Sequence, residues 1–421
     1  MDTRLWHPFA DMGSVRSSEL VIERGDGVWV WDRDGRRYLD GTASLWYANV
    51  GHGRREIAEA VAAQMARLEA YSAFGDFANE PARELAETLS DLAPMHARVF
   101  LGSGGGDGID TAAKLARRYW FELGEPDRTV LVSRTAGYHG THGFGTALAG
   151  IPANRFGFGP QVETVQVPHD SLEAMAIEIE RIGAQRVAAV FLEPVIGAGG
   201  LYPPVPGYIE GVAALCERTG ILLVVDSVIC GFGRLGTWFG IERWGVEPAM
   251  IVFAKGVTSG YLPLGGVVVS ERVAEPFWRA PGGPVLRHGA TYSAHATCCA
   301  AALANIALLA RDGLIERGRE LEGTLLAALE PLAGRESVAA VRGGVGLLAA
   351  VELTDEVLER QPGAVALVTR GARDRGVLVR PLGRGVAVSP PLIVDEEHLA
   401  VLADAIDHGL AALGAQAPAA G

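Results

Sequence analysis

The sequence predicts an α/β protein: a large unit built on a mostly parallel sheet, followed by a smaller α+β unit. Three observations carry this reading. Short apolar runs recur at Thr129–Val132, Val187–Leu192, Ile221–Val225, Met250–Phe253 and Gly266–Val269. They are continuous rather than alternating, as strands buried on both faces are. Helical stretches such as 171–184 and 207–219 lie between several of them, which is the connection a parallel sheet requires. Beyond residue 300 the texture changes to a long helical pattern and then short mixed elements.

Taken in order, residues 28–40 alternate and turn at Asp34-Gly35, a hairpin signal. Amphipathic helices are expected at 55–70 and at 80–93, the second ending before Pro94. Val99–Leu101 is a short apolar run that stops at the cluster Gly102–Gly108, and a helix is expected over 108–123. After residue 300 a helix is expected from about 297 to 332. Strands follow at Val338–Val341 and Gly346–Glu352, a helix near 363–374, strands at Val377–Arg380 and Val386–Ser389, and a final helix from about 395. The tail Ala415–Gly421 is small and expected to fray. No internal repeat or low-complexity linker is found.

The 421 residues include 37 basic and 50 acidic side chains, for a formal net charge of −13. That balance argues against nucleic acid and against anionic membrane surfaces as main partners. The N-terminal residues lack a basic segment followed by an apolar run, so no signal peptide is expected, and no 18-residue uncharged apolar stretch suggests a membrane span. The four cysteines, Cys216, Cys230, Cys298 and Cys299, form no CxxC. They read as buried small hydrophobes in a reducing cytoplasm.

Of the 37 basic residues, only Lys114 and Lys255 are lysines. A guanidinium stays protonated, whereas a lysine amine can lose its proton and attack a carbonyl. Ligands of open α/β sheets bind at the carboxyl ends of strands. A glycine loop (Gly102–Gly108), Glu193, Asp226 and Lys255 each follow an expected strand.

Each feature alone has a plainer reading. The glycine loop could be a flexible connection, but between strand and helix it also lets backbone N–H groups approach an anion. Asp226, after Ile-Leu-Leu-Val-Val, could be a helix cap or half of a salt bridge; it would equally suit a protonated ring nitrogen. Lys255 follows Met-Ile-Val-Phe-Ala, where partial desolvation would lower its pKa. Lys114, in Ala-Ala-Lys-Leu-Ala-Arg-Arg, reads as ordinary helix surface or subunit contact. Tyr138-His139-Gly140 could be core, or could stack on a flat ring. Together they ask for one ligand with a phosphate, a basic ring nitrogen, a flat face and an aldehyde. Pyridoxal 5'-phosphate has all four.

At this point the chain resembles a class III (omega-type) aminotransferase, of the amine:pyruvate-like subgroup, among the fold type I pyridoxal-phosphate enzymes. The likeness spans nearly the whole sequence. It rests on Leu5-Trp6-His7-Pro8-Phe9, on Ser44 through His52 (SLWYANVGH), on Glu193 through Gly200 (EPVIGAGG) and on Asp226 through Gly236 (DSVICGFGRLG). It rests also on Phe253-Ala254-Lys255-Gly256, Thr291 through His295 (TYSAH), Val379 through Gly383 (VRPLG) and Ser389-Pro390-Pro391-Leu392.

The resemblance implies a large cofactor-binding domain over 56–300 with a mostly parallel seven-stranded sheet. It implies a small domain formed by 301–421 with the N-terminal segment 1–55. Lys255 is expected to hold the cofactor through a Schiff base and Asp226 to pair with the pyridine nitrogen. Val228 packs on one ring face and Tyr138, beside His139, on the other. Gly105 and Gly106 donate N–H groups to the phosphate, joined by Thr291 of a partner chain. Arg380 receives a substrate carboxylate and Trp46 lines the substrate pocket. The expected reaction moves an amino group between an amine or amino acid and a keto acid, ketone or aldehyde. Specialised biosynthesis is a candidate setting, with a peptide-borne or carrier-borne carbonyl as a further candidate acceptor. A homodimer or tetramer is implied.

The sequence also departs from the family pattern. Ser227 stands where an acidic residue usually follows Asp226, and Gly106 where the phosphate loop usually carries serine. Ala198 and Ala387 replace the glutamate and arginine of members acting on ornithine or 4-aminobutyrate, which argues against those substrates. Three other readings compete: an aminomutase or racemase of the same family, a nicotinamide dehydrogenase using the glycine loop, and a non-catalytic relative.

Overall fold

The computed structural model describes residues 3–16 and 18–415. Its centre is a seven-stranded sheet whose strands lie in the spatial order 97–102, 265–270, 250–253, 222–226, 187–192, 130–134 and 164–167. Five neighbouring strands run parallel, from Met250–Phe253 through to Thr164–Val167. Gly265–Ser270 runs antiparallel to both of its neighbours. Every residue of Val187–Leu192, Leu222–Asp226, Val130–Arg134 and Met250–Phe253 is buried. Helices cover both faces, which is why these strands carry no alternation in sequence. Each fully buried Val, Leu or Phe stabilises the sheet by about 1.5–3 kcal/mol relative to exposure.

Two four-stranded sheets flank this core. One joins the N-terminal strands Ile22–Asp26, Trp29–Asp32 and Arg37–Asp40 to Val377–Leu378, which runs parallel to Arg37–Asp40. The other orders Val338–Arg342, Ala349–Leu353, Gly385–Val388 and Arg380–Leu382, all antiparallel. The expected hairpin forms, with Gly35 at φ +82° in its turn. Several short elements have no signature in the sequence, three of them with a clear physical reason. Ile22–Asp26 is almost wholly exposed and so has no apolar pattern, Thr164–Val167 is an edge strand, and Asp355–Arg360 is a six-residue helix capped by Thr354.

The helix expected over 297–332 is broken. It forms as Ala296–Arg311, Leu314–Glu320 and Glu322–Leu329, ending in a 3-10 turn at Glu330–Gly334. Gly313 sits at φ +64°, a left-handed conformation that stops a helix and that glycine adopts without strain. No single helix among the described residues is long and apolar enough to cross a membrane. All four cysteines are buried and unpaired. The final helix runs Glu396–Ala415; the expected fraying of the tail concerns 416–421, outside the described residues.

Candidate active site

The carboxyl ends of the parallel strands meet the start of the helix Gly105–Glu122 around a cavity of about 160 Å³. Gly105, Gly106, Tyr138, Glu193, Asp226, Val228 and Lys255 all line it.

Asp226 is the last residue of its strand and is 5% exposed. Its Oδ2 lies 2.9 Å from His139 Nδ1, and its Oδ1 accepts the Val228 N–H at 3.1 Å. No helix follows for Asp226 to cap; its bonds to the turn at Val228 and to His139 instead fix a carboxylate at the cavity wall. His139 is buried as well, so the pair is shielded from water and salt.

Lys255 follows Met250–Phe253 and opens a 3-10 turn at φ +47°. A non-glycine residue in that region carries backbone strain of about 1–3 kcal/mol, and such strain concentrates at functional sites. Burial pushes the amine below its ordinary pKa. The carboxylates of Asp226 and Glu193 oppose that shift, and the Arg380 guanidinium adds to it. An amine released from its proton at lower pH is the nucleophile that carbonyl chemistry needs.

Glu193 follows Val187–Leu192 and is 4% exposed. Its Oε1 accepts the Tyr138 N–H and its Oε2 the Gly197 N–H, each at 3.0 Å. Burial is the largest influence on its carboxyl and raises the pKa; the Asp226 charge raises it further, while His139 and the two N–H donors lower it. The sequence places Glu193 at a strand end but assigns it no role. Its function in the fold is to hold the Tyr138 loop and the 193–197 turn against each other.

The phosphate-loop geometry depends on missing side chains. A Cβ on Gly105 would lie 3.0 Å from both Val228 methyl groups. Gly140, at φ +83°, presses so closely on the helix that a Cβ there would lie 2.9 Å from Gly106 Cα. The first N–H groups of a helix have no intrahelical acceptor, so those of Gly105 and Gly106 face the cavity as free donors. Asp107 Oδ2 accepts the Ser103 N–H at 2.8 Å and closes the loop from outside.

The residues present fit pyridoxal phosphate. A helix N-terminus bare of side chains suits a phosphate, and a buried carboxylate suits a ring nitrogen. Tyr138 and Val228 flank the space between, and an amine of lowered basicity suits an aldehyde.

Four residues singled out in the sequence lie outside the lining of this cavity. Trp46 does not line this cavity. It is 3% exposed and packs with Val195, Ile229, Cys230, Leu382 and Ala387, because the Ala43–Trp46 turn, with φ positive at Ala43, Ser44 and Trp46, folds the indole into the core. Ser227 does not face the cavity either. Its Oγ donates to the Phe239 carbonyl at 2.6 Å, so this departure from the family pattern is absorbed by the backbone behind the site. Thr291 is exposed in a groove with Tyr71, Phe74 and Tyr292, away from Lys255 of its own chain. Arg380 is half-buried on its strand, outside the cavity lining, with Nε unpartnered; its charge is nonetheless felt by both Lys255 and Tyr138.

Comparison with known proteins agrees with this geometry. The profile of the family Aminotransferase class-III matches residues 12–410. The putrescine–pyruvate aminotransferase of Pseudomonas aeruginosa is 34% identical, over 93% of this chain and 91% of its own. The omega-aminotransferase of Caulobacter vibrioides is 35% identical, over 94% of each. Among solved structures, an amine transaminase from an uncultivated Pseudomonas species, in its PLP-bound form, superposes with a TM-score of 0.93. It is 36% identical, and the match covers 98% of this chain and all of that one (100%). An (S)-enantioselective omega-transaminase from Thermomicrobium roseum gives 0.92 at 38% identity, covering 97% and 96%. These relatives support amino-group transfer and not the aminomutase or racemase alternative.

Proposed function

The chain belongs to the class III aminotransferases, enzymes that depend on pyridoxal phosphate, and on that premise we propose that it transfers amino groups from small amines to a keto acid of the pyruvate type, with Lys255 and Asp226 as the catalytic residues. The observation that carries this is a strained, part-buried lysine and a buried, histidine-paired aspartate lining one cavity.

Bound there, pyridoxal phosphate supplies an aldehyde that captures amino groups and a ring that draws electrons from the neighbouring C–H bond. Lys255 holds that aldehyde between turnovers. When free, its amine would take up and give back a proton over the substrate carbon as general base and acid. Asp226, oriented by His139, keeps a proton on the ring nitrogen. Tyr138 and Val228 hold the ring between them, and Glu193 fixes the Tyr138 loop. Gly105 and Gly106 bind the phosphate. Arg380 receives a substrate carboxylate through a forked guanidinium. Trp46 acts on the substrate pocket from behind, through the hydrophobic cluster it shares with Ile229, which lines the cavity.

The division of labour follows the sheets. The large domain, 56–300, carries the cofactor. The segments 1–55 and 301–421 form the small domain, a grouping supported by the pairing of Val377–Leu378 with Arg37–Asp40. A homodimer is the working form: Tyr71, Phe74, Phe77 and Tyr292 are each more than half exposed around Thr291, and a second copy would cover them. Four buried free thiols suit the cytoplasm. The pyruvate-type acceptor is supported by the relative named above, by Arg380, and by Ala198 and Ala387 in place of charged residues.

Borohydride reduction of the holoenzyme followed by peptide mapping tests this reading. The trapped cofactor is expected on the peptide containing Lys255. An adduct on another peptide, or none, overturns it.

A further inference from the structure

The second lysine has no part in the chemistry above, yet it is placed with care. Lys114 Nζ lies 3.2 Å from His288 Nδ1, and His288 Nε2 lies 2.8 Å from Thr111 Oγ1. Thr111 Oγ1 in turn lies 2.8 Å from the Asp107 carbonyl, one turn earlier on the helix. The directions of these bonds are fixed by what each group can do. An ammonium only donates, so Nδ1 accepts. The imidazole then carries its hydrogen on Nε2 and donates to Thr111, whose hydroxyl hydrogen goes to the only remaining acceptor, the Asp107 carbonyl. The ring also stacks on Phe100, with centroids 5.9 Å apart and planes 20° from parallel. Burial and the Lys114 charge both lower the His288 pKa, which keeps the ring in this neutral form.

His288 is the anchor of an irregular arm, 285–292, that ends at Thr291 and Tyr292. The helix it is tied to is the one whose first turn, Gly105 and Gly106, faces the cavity. We propose that Lys114 is a positioning residue: through His288 and Thr111 it pins the 285–292 arm to the phosphate-binding helix of its own chain, so that Thr291 is presented in fixed geometry to the cofactor site of a second copy. This rests on the reading that Thr291 completes the partner's phosphate site. The relay needs an obligate donor at Nδ1, since a group that could also accept would release the tautomer.

The test compares the wild type with Lys114→Met, Lys114→Arg and Thr291→Ala. Two quantities are read: cofactor dissociation from the holoenzyme, and hydrogen exchange of peptides covering 285–292 in the cofactor-free protein. Lys114→Met is expected to speed exchange in the arm and to weaken cofactor retention about tenfold, the effect of losing one charge-assisted hydrogen bond. Lys114→Arg, still an obligate donor, should restore both to within about twofold of wild type. Thr291→Ala should weaken retention without loosening the arm. If Thr291→Ala leaves retention unchanged, the reading of the arm fails and the proposal with it. If Thr291→Ala weakens retention while Lys114→Met changes neither quantity, the arm keeps its role and the relay is overturned.

Discussion

The cofactor cavity, the deep end of the expected site, and the separate groove around Thr291, its outer end, are built in opposite ways. At the deep end, Asp226, His139, Glu193 and Lys255 come from strand ends of a single sheet, and the three partnered groups are 2–5% exposed. Their hydrogen bonds close within one chain. At the outer end, Tyr71, Phe74 and Tyr292 are 54–69% exposed, and Thr291 stands among them with nothing of its own cavity to touch. On the proposed reading the proton chemistry draws on one chain, whereas the Thr291 groove serves the phosphate end of a second copy. Substitutions at the deep end should therefore abolish the reaction, and those toward the outer end should change binding instead.

The largest effect belongs to Lys255. Lys255→Ala should reduce turnover by at least about 10³-fold, since both the tether and the proton carrier are lost. Turnover near the wild-type rate would break the assignment of the deep end as the chemical centre. The same residue offers a direct look at the pKa argument, because the chain has only two lysines. Labelling lysine with carbon-13 at Cε should give two signals in the cofactor-free protein, assigned with Lys114→Arg. The Lys255 signal is expected to titrate below the ordinary 10.5, because burial disfavours its charged form. The neutral amine thus becomes available as pH rises through that lowered value, and the rate should rise with it.

Asp226→Asn comes next. A neutral amide cannot hold the ring proton by charge, and it leaves His139 without its carboxylate in a buried site. A loss of about 10²–10³-fold in turnover is expected, the scale of removing one preorganised electrostatic partner. A full rate in this variant would refute the role of Asp226, and would shift the weight of the deep end onto Glu193.

Arg380 lines neither the cavity nor the groove and should divide the substrates. Its Nε is buried without a partner, and burial disfavours its charge, which a bound carboxylate would stabilise. Arg380→Ala is expected to raise KM for a keto acid by about 10–100-fold, the value of a charge-assisted pair. An uncharged amine should change by less than about threefold. Equal losses on both would count against a carboxylate-specific role.

How much of this the sequence made legible depends on how far each contact reaches along the chain. The sheet was legible because burial on both faces writes itself as continuous Val, Ile and Leu. Lys255 and Asp226 were legible because each directly follows such a run, and Lys255 stood out by rarity. Glu193 followed a run too, but its role lies in accepting the Tyr138 N–H, 55 residues away, which no local pattern encodes. Trp46 was read as pocket lining because its surroundings depend on three positive-φ residues that turn the indole inward. Ser227 looked like a lost charge at the cofactor; only the fold reveals that position 227 faces the Phe239 carbonyl. Lys114 is exposed, as its helix context implies, but its contact with His288, 174 residues distant, is one that no local pattern encodes.

The smallest expected effect, Gly106→Ser, sharpens the contrast between the closed and the open end most finely. The two glycines at the helix start are not equivalent. A Cβ on Gly105 would sit 3.0 Å from both methyl groups of Val228, a buttress on the cavity wall, so even Gly105→Ala must displace that wall. A Cβ on Gly106 would meet the His142 ring at 3.4–3.5 Å, which is ordinary contact. Neither position has a left-handed φ, so backbone strain does not separate them; only the space does. Serine at 106 would add a hydroxyl at a helix N-terminus, where an anion is already favoured. It should tighten cofactor retention by about 2–10-fold, the worth of one hydrogen bond, with kcat unchanged. Gly105→Ser should do the reverse, weakening retention and lowering turnover together. Measuring cofactor dissociation for the pair distinguishes a loop that merely tolerates glycine from one that requires it. Equal behaviour of the two variants would mean that Val228 yields and that the wall is softer than its packing implies.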